Sequence, residues 1–244
     1  MARKRKRKIW IYVLAALLLA LLAFIIYFNI ATRIIPPTEL DPAAMACERE
    51  EPSPGLLSCG PGWLHQNTYG LWEMYLEGEP LGLGIMNGAL SRELIEEQED
   101  AFVDQIRVMI PSPSYLKFLK YFLAWFNRDL DDHIKQEYLL EIYGVSAFAS
   151  GNYDFIGNNY ERILNYHAAH DIGHALQNMK LVECTAFGVW DERSPDSTLL
   201  IGRNFDFYVG DAFAENKIIA FVRPAHGYAF ASITWAGMIG VVSG

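Results

Sequence analysis

The sequence predicts an α+β protein carried behind an N-terminal membrane helix. Three observations predict it: an uncharged apolar stretch from Ile9 to Ile30, helical apolar spacing through most of 63–183, and period-two alternation broken by turn signals from 184 onward. Of the 244 residues 52% are hydrophobic and 20% charged, enough for a sizeable core and unlike a disordered chain.

The first element is the membrane helix. Residues 3–8 are six consecutive Lys and Arg, and the 22 residues from Ile9 to Ile30 carry no charge. At about 1.5 Å per residue such a helix crosses a hydrocarbon layer of about 30 Å. Trp10, Tyr12 and Tyr27 suit its two interfaces, and the basic cluster sets the N-terminus in the cytoplasm with the rest of the chain outside. Only Ala31 offers a small residue for signal cleavage, so the segment (residues 1–30 with its basic tip) reads as an uncleaved single-pass anchor. Without the basic cluster the balance is 14 basic to 29 acidic residues, which argues against a nucleic-acid partner.

Residues 31–62, rich in Pro, read as a tether. Cys47 and Cys59 lie within it, in a compartment that permits oxidation; the sequence leaves open whether they pair. The mainly helical region 63–183 begins with a candidate N-cap, Ser91, before Ile95, Phe102, Ile106 and Met109 at helical spacing up to Pro111. A second helix, Tyr115 to Leu130, is dense in aromatics and reads as buried; further helices are expected near Lys135–Ala149 and Tyr160–Met179. Trp63, Trp72 and Trp125 are expected in the core.

The strands follow. Residues 184–190, Thr198–Phe207, Lys217–Val222 and Tyr228–Trp235 alternate at period two, and Asp191–Ser197 is a turn-rich connection. If Trp190 pairs with Thr198 across that turn, Cys184 falls opposite Asn204, with Arg203 and Asp206 beside it. A thiol, a guanidinium and a carboxylate at one strand end suit acyl transfer: a nucleophile, a cation favouring its thiolate, and a carboxylate to orient a base. No histidine is locally placed to be that base. A free α-amine on Cys184, with pKa about 7.7–8.0, would serve if the Glu183–Cys184 bond were cut.

These residues carry a resemblance. Cys184-Thr185-Ala186-Phe187, followed by Gly202-Arg203-Asn204-Phe205-Asp206-Phe207, resembles the nucleophile region of the acyl-coenzyme A:6-aminopenicillanic acid acyltransferase family. It is more distantly similar to penicillin V acylases and choloylglycine hydrolases. Leu76 to Gly84 with Gly88-Ala89-Leu90, and Glu141-Ile142-Tyr143-Gly144-Val145, are similar to that family's pro-region; the likeness covers about residues 70–244. The resemblance implies a peptidase-like, self-processing N-terminal-nucleophile hydrolase or acyltransferase. It would act on linear amide or acyl bonds of a small-molecule substrate, with no cofactor and no metal. Residues 63–183 would be the pro-region, cut from a β-chain starting at Cys184, and the two chains would stay associated. Cys184 would be the nucleophile, its amine the base, Asp206 the amine's partner, and Arg203 a support for thiolate or substrate. An αββα sandwich needs more than the 61 residues of 184–244, so the chain is expected to be a fragment of a longer protein or a truncated gene product, with little self-cleavage or activity of its own.

Two other classes compete. His167, His170 and His174 share a helical face with Asp171, and His170-Asp171 resembles the motif of metal-dependent phosphohydrolases, with His133 a further ligand. That fold is all-helical, whereas strands follow here. A membrane-tethered module without catalysis is the third class.

Overall fold

The computed structural model describes residues 2–37, 47–169, 182–207 and 209–241. They form two units, Met1–Ile35 with Ser114–His133, and Pro36–Pro113 with Ile134–Gly244. The first contains helix α1 (Ala2–Ala31) and helix α4 (Pro113–Phe126). Within α1, the 24 residues Lys8–Ala31 are long and apolar enough to cross a membrane.

The second unit is α+β, as expected. Its main sheet has the order β1-β2-β3-β4-β7-β8. Strands β1 (Glu50–Ser53), β2 (Leu56–Cys59), β3 (Gly62–Gln66) and β4 (Trp72–Gly78) form an antiparallel meander. Strand β7 (Ile218–Pro224) then runs parallel to β4 along its whole length, from Trp72↔Ile218 to Gly78↔Pro224. Strand β8 (Phe230–Thr234) closes the sheet antiparallel to β7. Two of these strands lie in the stretch read as a tether and two at the head of the stretch read as helical. Cys47 and Cys59 form a disulfide, which fastens the approach to β1 onto β2.

Side-chain alternation makes this sheet one-sided. Leu64, Met74, Leu76, Ile218, Ala220 and Val222 are buried and share a face by register. The other face stays partly wet: Trp63 stacks on Tyr75 there, and Phe221 is exposed. Trp63, Trp72 and Trp125 are therefore not core residues; each is at least partly exposed.

Helix α2 (Pro80–Leu90) covers the buried face, with every residue from Leu83 to Leu90 buried. Pro80 at its first turn fits a position whose N–H has no helical partner. Across α2 lies α5 (Gln136–Ser146), close enough that only glycines fit. A Cβ on Gly84 would land on the Glu141 carbonyl, and one on Gly144 would stand 2.6 Å from the Ile85 nitrogen. These are the two stretches that carried the pro-region likeness. Gly84→Ala is expected to cost about 3 kcal/mol or more through overpacking. Gly82→Ala, two residues away with nothing within 4 Å of the new methyl, is expected to be neutral or stabilising. Thermal unfolding of the two variants checks the contrast; equal midpoints would contradict the close crossing.

Helix α3 (Arg92–Met109) begins where expected, but Ser91 does not cap it. Its hydroxyl is buried and donates back to the Asn87 carbonyl at 2.7 Å. Helix α6 (Asn159–His167) is capped by Asn158, whose side chain accepts from the Glu161 amide. The expected aromatic helix forms as α4, but none of its residues is buried except Asn127 just beyond its end. Density of aromatic residues in sequence does not mean burial here: Tyr115, Phe118, Tyr121, Phe122, Trp125 and Phe126 are all exposed.

Candidate active site

Cys184 lies on a hairpin that stands apart from the main sheet. Among the described residues, strand β5 (Val182–Asp191) pairs only with β6 (Ser197–Phe207). The predicted connection forms the turn, organised by Asp196. Its carboxylate accepts from the Thr198 hydroxyl at 2.6 Å and from the Ser194 hydroxyl at 3.2 Å. The Thr198 bond holds this carboxyl below the ordinary aspartate range.

The pairing differs by one residue from the expected register. At the turn Asp191 faces Ser197, but Val189 faces Leu200, so Trp190 opposes both Thr198 and Leu199. This is a β-bulge, and it shifts everything beyond it. Cys184 pairs with Phe205, Thr185 with Asn204, and Ala186 with Arg203. A one-residue slip exchanges the faces of a strand, so Arg203 comes to the face of Cys184 and Asn204 leaves it. The Arg203 Nη2 stands 4.0 Å from the Cys184 Sγ, a donor aimed at sulfur from the diagonal position. Asp206 pairs with Glu183 across the candidate cleavage bond; the side chains of both lie outside those described. The structure thus joins Cys184 to Arg203, while the same slip puts Asp206, paired with Glu183, at a register position on the opposite face of the ribbon from Cys184.

The thiol is exposed, and so are Phe187, Trp190 and Ile201 along the ribbon. At its root, Phe207 packs on Phe213 of the short helix α7 (Asp211–Ala214) at 5.8 Å and on Trp235 at 6.3 Å. A cavity of about 50 Å³ lies there among Phe102, Tyr166, His167, Phe213 and Trp235. Beside it is a buried polar cluster that the sequence reading did not single out. Arg162, with no exposed side-chain surface, donates from Nε to Glu99 Oε1 at 2.7 Å and from Nη1 to Asp154 at 3.0 Å. The Tyr166 hydroxyl donates to the same Glu99 oxygen at 2.7 Å. Burial raises the Glu99 pKa, against the opposing pull of Tyr166 and Arg162. A signal was available: Glu99 falls between Ile95 and Phe102 on the apolar stripe of α3, where a charge needs a partner.

The histidine face reads differently from the sequence expectation. His170, Asp171 and His174 lie outside the described residues. The half-buried His167 spends both ring nitrogens on the protein: Nδ1 donates to the Ile163 carbonyl at 2.8 Å, and Nε2 accepts from the Ile239 amide at 3.1 Å. Burial lowers its pKa to about 4, so it is a neutral packing residue and has no nitrogen left for a metal. His133 is exposed at the end of a 3₁₀ turn, and no group of three potential ligands occurs among the described residues.

No family model matches the chain. It is similar to an uncharacterized protein of Archaeoglobus fulgidus, 25% identical over 199 residues, which covers 75% of this chain and 32% of that protein. The chain thus spans about a third of the length of the relative it matches.

Proposed function

We propose that the chain is a membrane-anchored cysteine hydrolase or acyltransferase that activates itself by cutting Glu183–Cys184. The observation that carries this reading is the guanidinium of Arg203 at 4.0 Å from an exposed thiol, on the same face of the β5–β6 ribbon. In self-cleavage the Cys184 sulfur attacks the Glu183 carbonyl carbon. The C–S bond forms as the C–N bond breaks, and the nitrogen takes the thiol proton to become the α-amine. Water then hydrolyses the thioester, leaving a Glu183 carboxylate and restoring the thiol. In turnover the freed amine takes the thiol proton and the sulfur attacks the acyl carbon of a small amide or acyl substrate, with Arg203 beside the developing charge. The leaving amine or alcohol takes that proton as its bond to the carbon breaks, and water or an acceptor amine then takes the acyl group and restores the thiol. No cofactor enters these steps. The anchor crosses through residues 9–30, N-terminus inside, with the catalytic domain on the outer side.

Intact-mass analysis of protein expressed from the full gene tests this directly. Two chains are expected, the second starting at Cys184. Cys184→Ala should abolish both the cut and acyl hydrolysis, and Cys184→Ser should process slowly. Arg203→Ala and Asp206→Asn should lower turnover with little effect on folding. A single uncut chain that still hydrolyses acyl substrates would sink the reading.

A further inference from the structure

We infer that α4 is a second membrane element, lying in the plane of the lipid–water interface beside the exit of α1. The inference rests on α1 crossing a bilayer. At 14 residues, about 21 Å as a helix, α4 is too short to span. Along it Tyr115, Phe118, Phe122 and Phe126 follow one another at ring separations of 6.2, 6.3 and 6.2 Å. These four rings are 52%, 59%, 41% and 55% exposed, a continuous aromatic ladder on the helix surface.

The occupant of that surface is indicated by what α4 touches. Trp125 stacks on Phe28 at 5.8 Å and meets Tyr27 at 6.2 Å, while Tyr121 meets Phe28 edge-on at 6.2 Å. Phe28 and Tyr27 belong to the last turn of the apolar span, so α4 is held at the depth where the hydrocarbon ends. At 100° per residue the aromatic residues and Leu116, Leu119 and Leu123 fill one broad arc of α4. Lys117 and Lys120 fall on the remaining arc. Just past the helix the Arg128 guanidinium sits over the Trp125 ring, 4.8 Å from its centroid. Aromatic rings on one side and ammonium groups on the other are the composition of a helix that beds into acyl chains and turns its cations to phosphate headgroups. The surface is continuous with the lipid-facing surface of α1, every described residue of which from Lys8 to Tyr27 is exposed.

The test uses the full chain in vesicles of phosphatidylcholine and phosphatidylglycerol. Single cysteines for nitroxide labelling are introduced in a Cys184→Ala background: Phe118→Cys and Phe122→Cys on the ladder, Lys117→Cys opposite, and Leu19→Cys in the middle of α1. Relaxation by oxygen reports lipid, and relaxation by a water-soluble nickel chelate reports solvent. Labels at 118 and 122 are expected to favour oxygen over nickel by on the order of tenfold relative to the label at 117, at a shallower depth than the label at 19. Water-accessible labels at 118 and 122 with a lipid-buried label at 19 would overturn the proposal and leave the anchor intact. Labels at 118 and 122 shielded from both relaxants would mean that protein covers the ladder, and would also overturn it. A water-accessible label at 19 would remove the anchor and this inference together.

Discussion

Arg162→Ala is expected to destabilise the α+β unit by about 3–5 kcal/mol, a large share of the stability of a domain this size. Arg162 is fully buried, and its guanidinium is the cation facing the buried Glu99. Truncation leaves that carboxylate with the Tyr166 hydroxyl and no counter-charge. Glu99 is already pushed up by burial, and losing Arg162 pushes it further. The loss should therefore shrink in acid, where Glu99 takes a proton. Replacing both members, Glu99→Leu with Arg162→Met, should recover most of the stability, because the desolvation of both charges disappears with them. Urea unfolding followed by near-ultraviolet circular dichroism in mild detergent reads all three proteins. An Arg162→Ala variant as stable as the parent would show that the pair is not buried as described.

How much of this was legible beforehand varied with the physics involved. Strands β5 to β8 were readable because period-two alternation and the Ser-Pro-Asp turn are local signals. The meander β1–β4 was not, because Pro52, Pro54 and Pro61 suggest a linker. An edge strand tolerates proline, however, and Pro52 sits in the exposed strand at the edge of the sheet. The aromatic helix was placed correctly along the chain and wrongly in space, since composition alone does not distinguish a buried helix from one whose rings stay exposed. The neighbourhood of Cys184 was legible to within one residue. The bulge opposite Trp190, which carries no sequence signature, decided that Arg203 shares its face. The Arg162–Glu99 pair joins residues 63 positions apart, and only the tertiary fold brings them together.

The second large effect concerns Glu141, on α5 where it crosses α2. This carboxyl is buried, and burial raises its pKa to about 7, with Glu137 adding a smaller push. In the unfolded chain it titrates near the ordinary glutamate value, about 4.3. With the folded pKa above the unfolded one, the stabilising contribution is complete below about pH 4. It is lost as pH rises toward 7, and the deficit is constant beyond that. Glu141→Gln has nothing to ionise. It should match the parent at pH 4 and exceed it by roughly 3.5 kcal/mol at pH 8, at 1.36 kcal/mol per pKa unit. Unfolding midpoints measured across that range check it, and a gap that does not change with pH would refute it.

The parallel pairing of β4 with β7 has a consequence for how often this molecule can fold. The two strands meet over seven consecutive residue pairs, yet some 140 residues of chain, including the Glu183–Cys184 bond, lie between them. While the chain is continuous, closing that loop is slow but intramolecular, because the entropic cost grows only logarithmically with its length. Were that bond cut as proposed, the sheet would stay whole, with β1 to β4 on one fragment hydrogen-bonded to β7 and β8 on the other. Denaturing such a nicked molecule separates the fragments. Recovery then requires a bimolecular encounter at whatever dilution prevails, in competition with aggregation of exposed strands. On that proposal the uncut chain should refold from denaturant and the nicked one should not, so the persistence of a nicked molecule would be set by the rate at which the sheet opens rather than by an equilibrium.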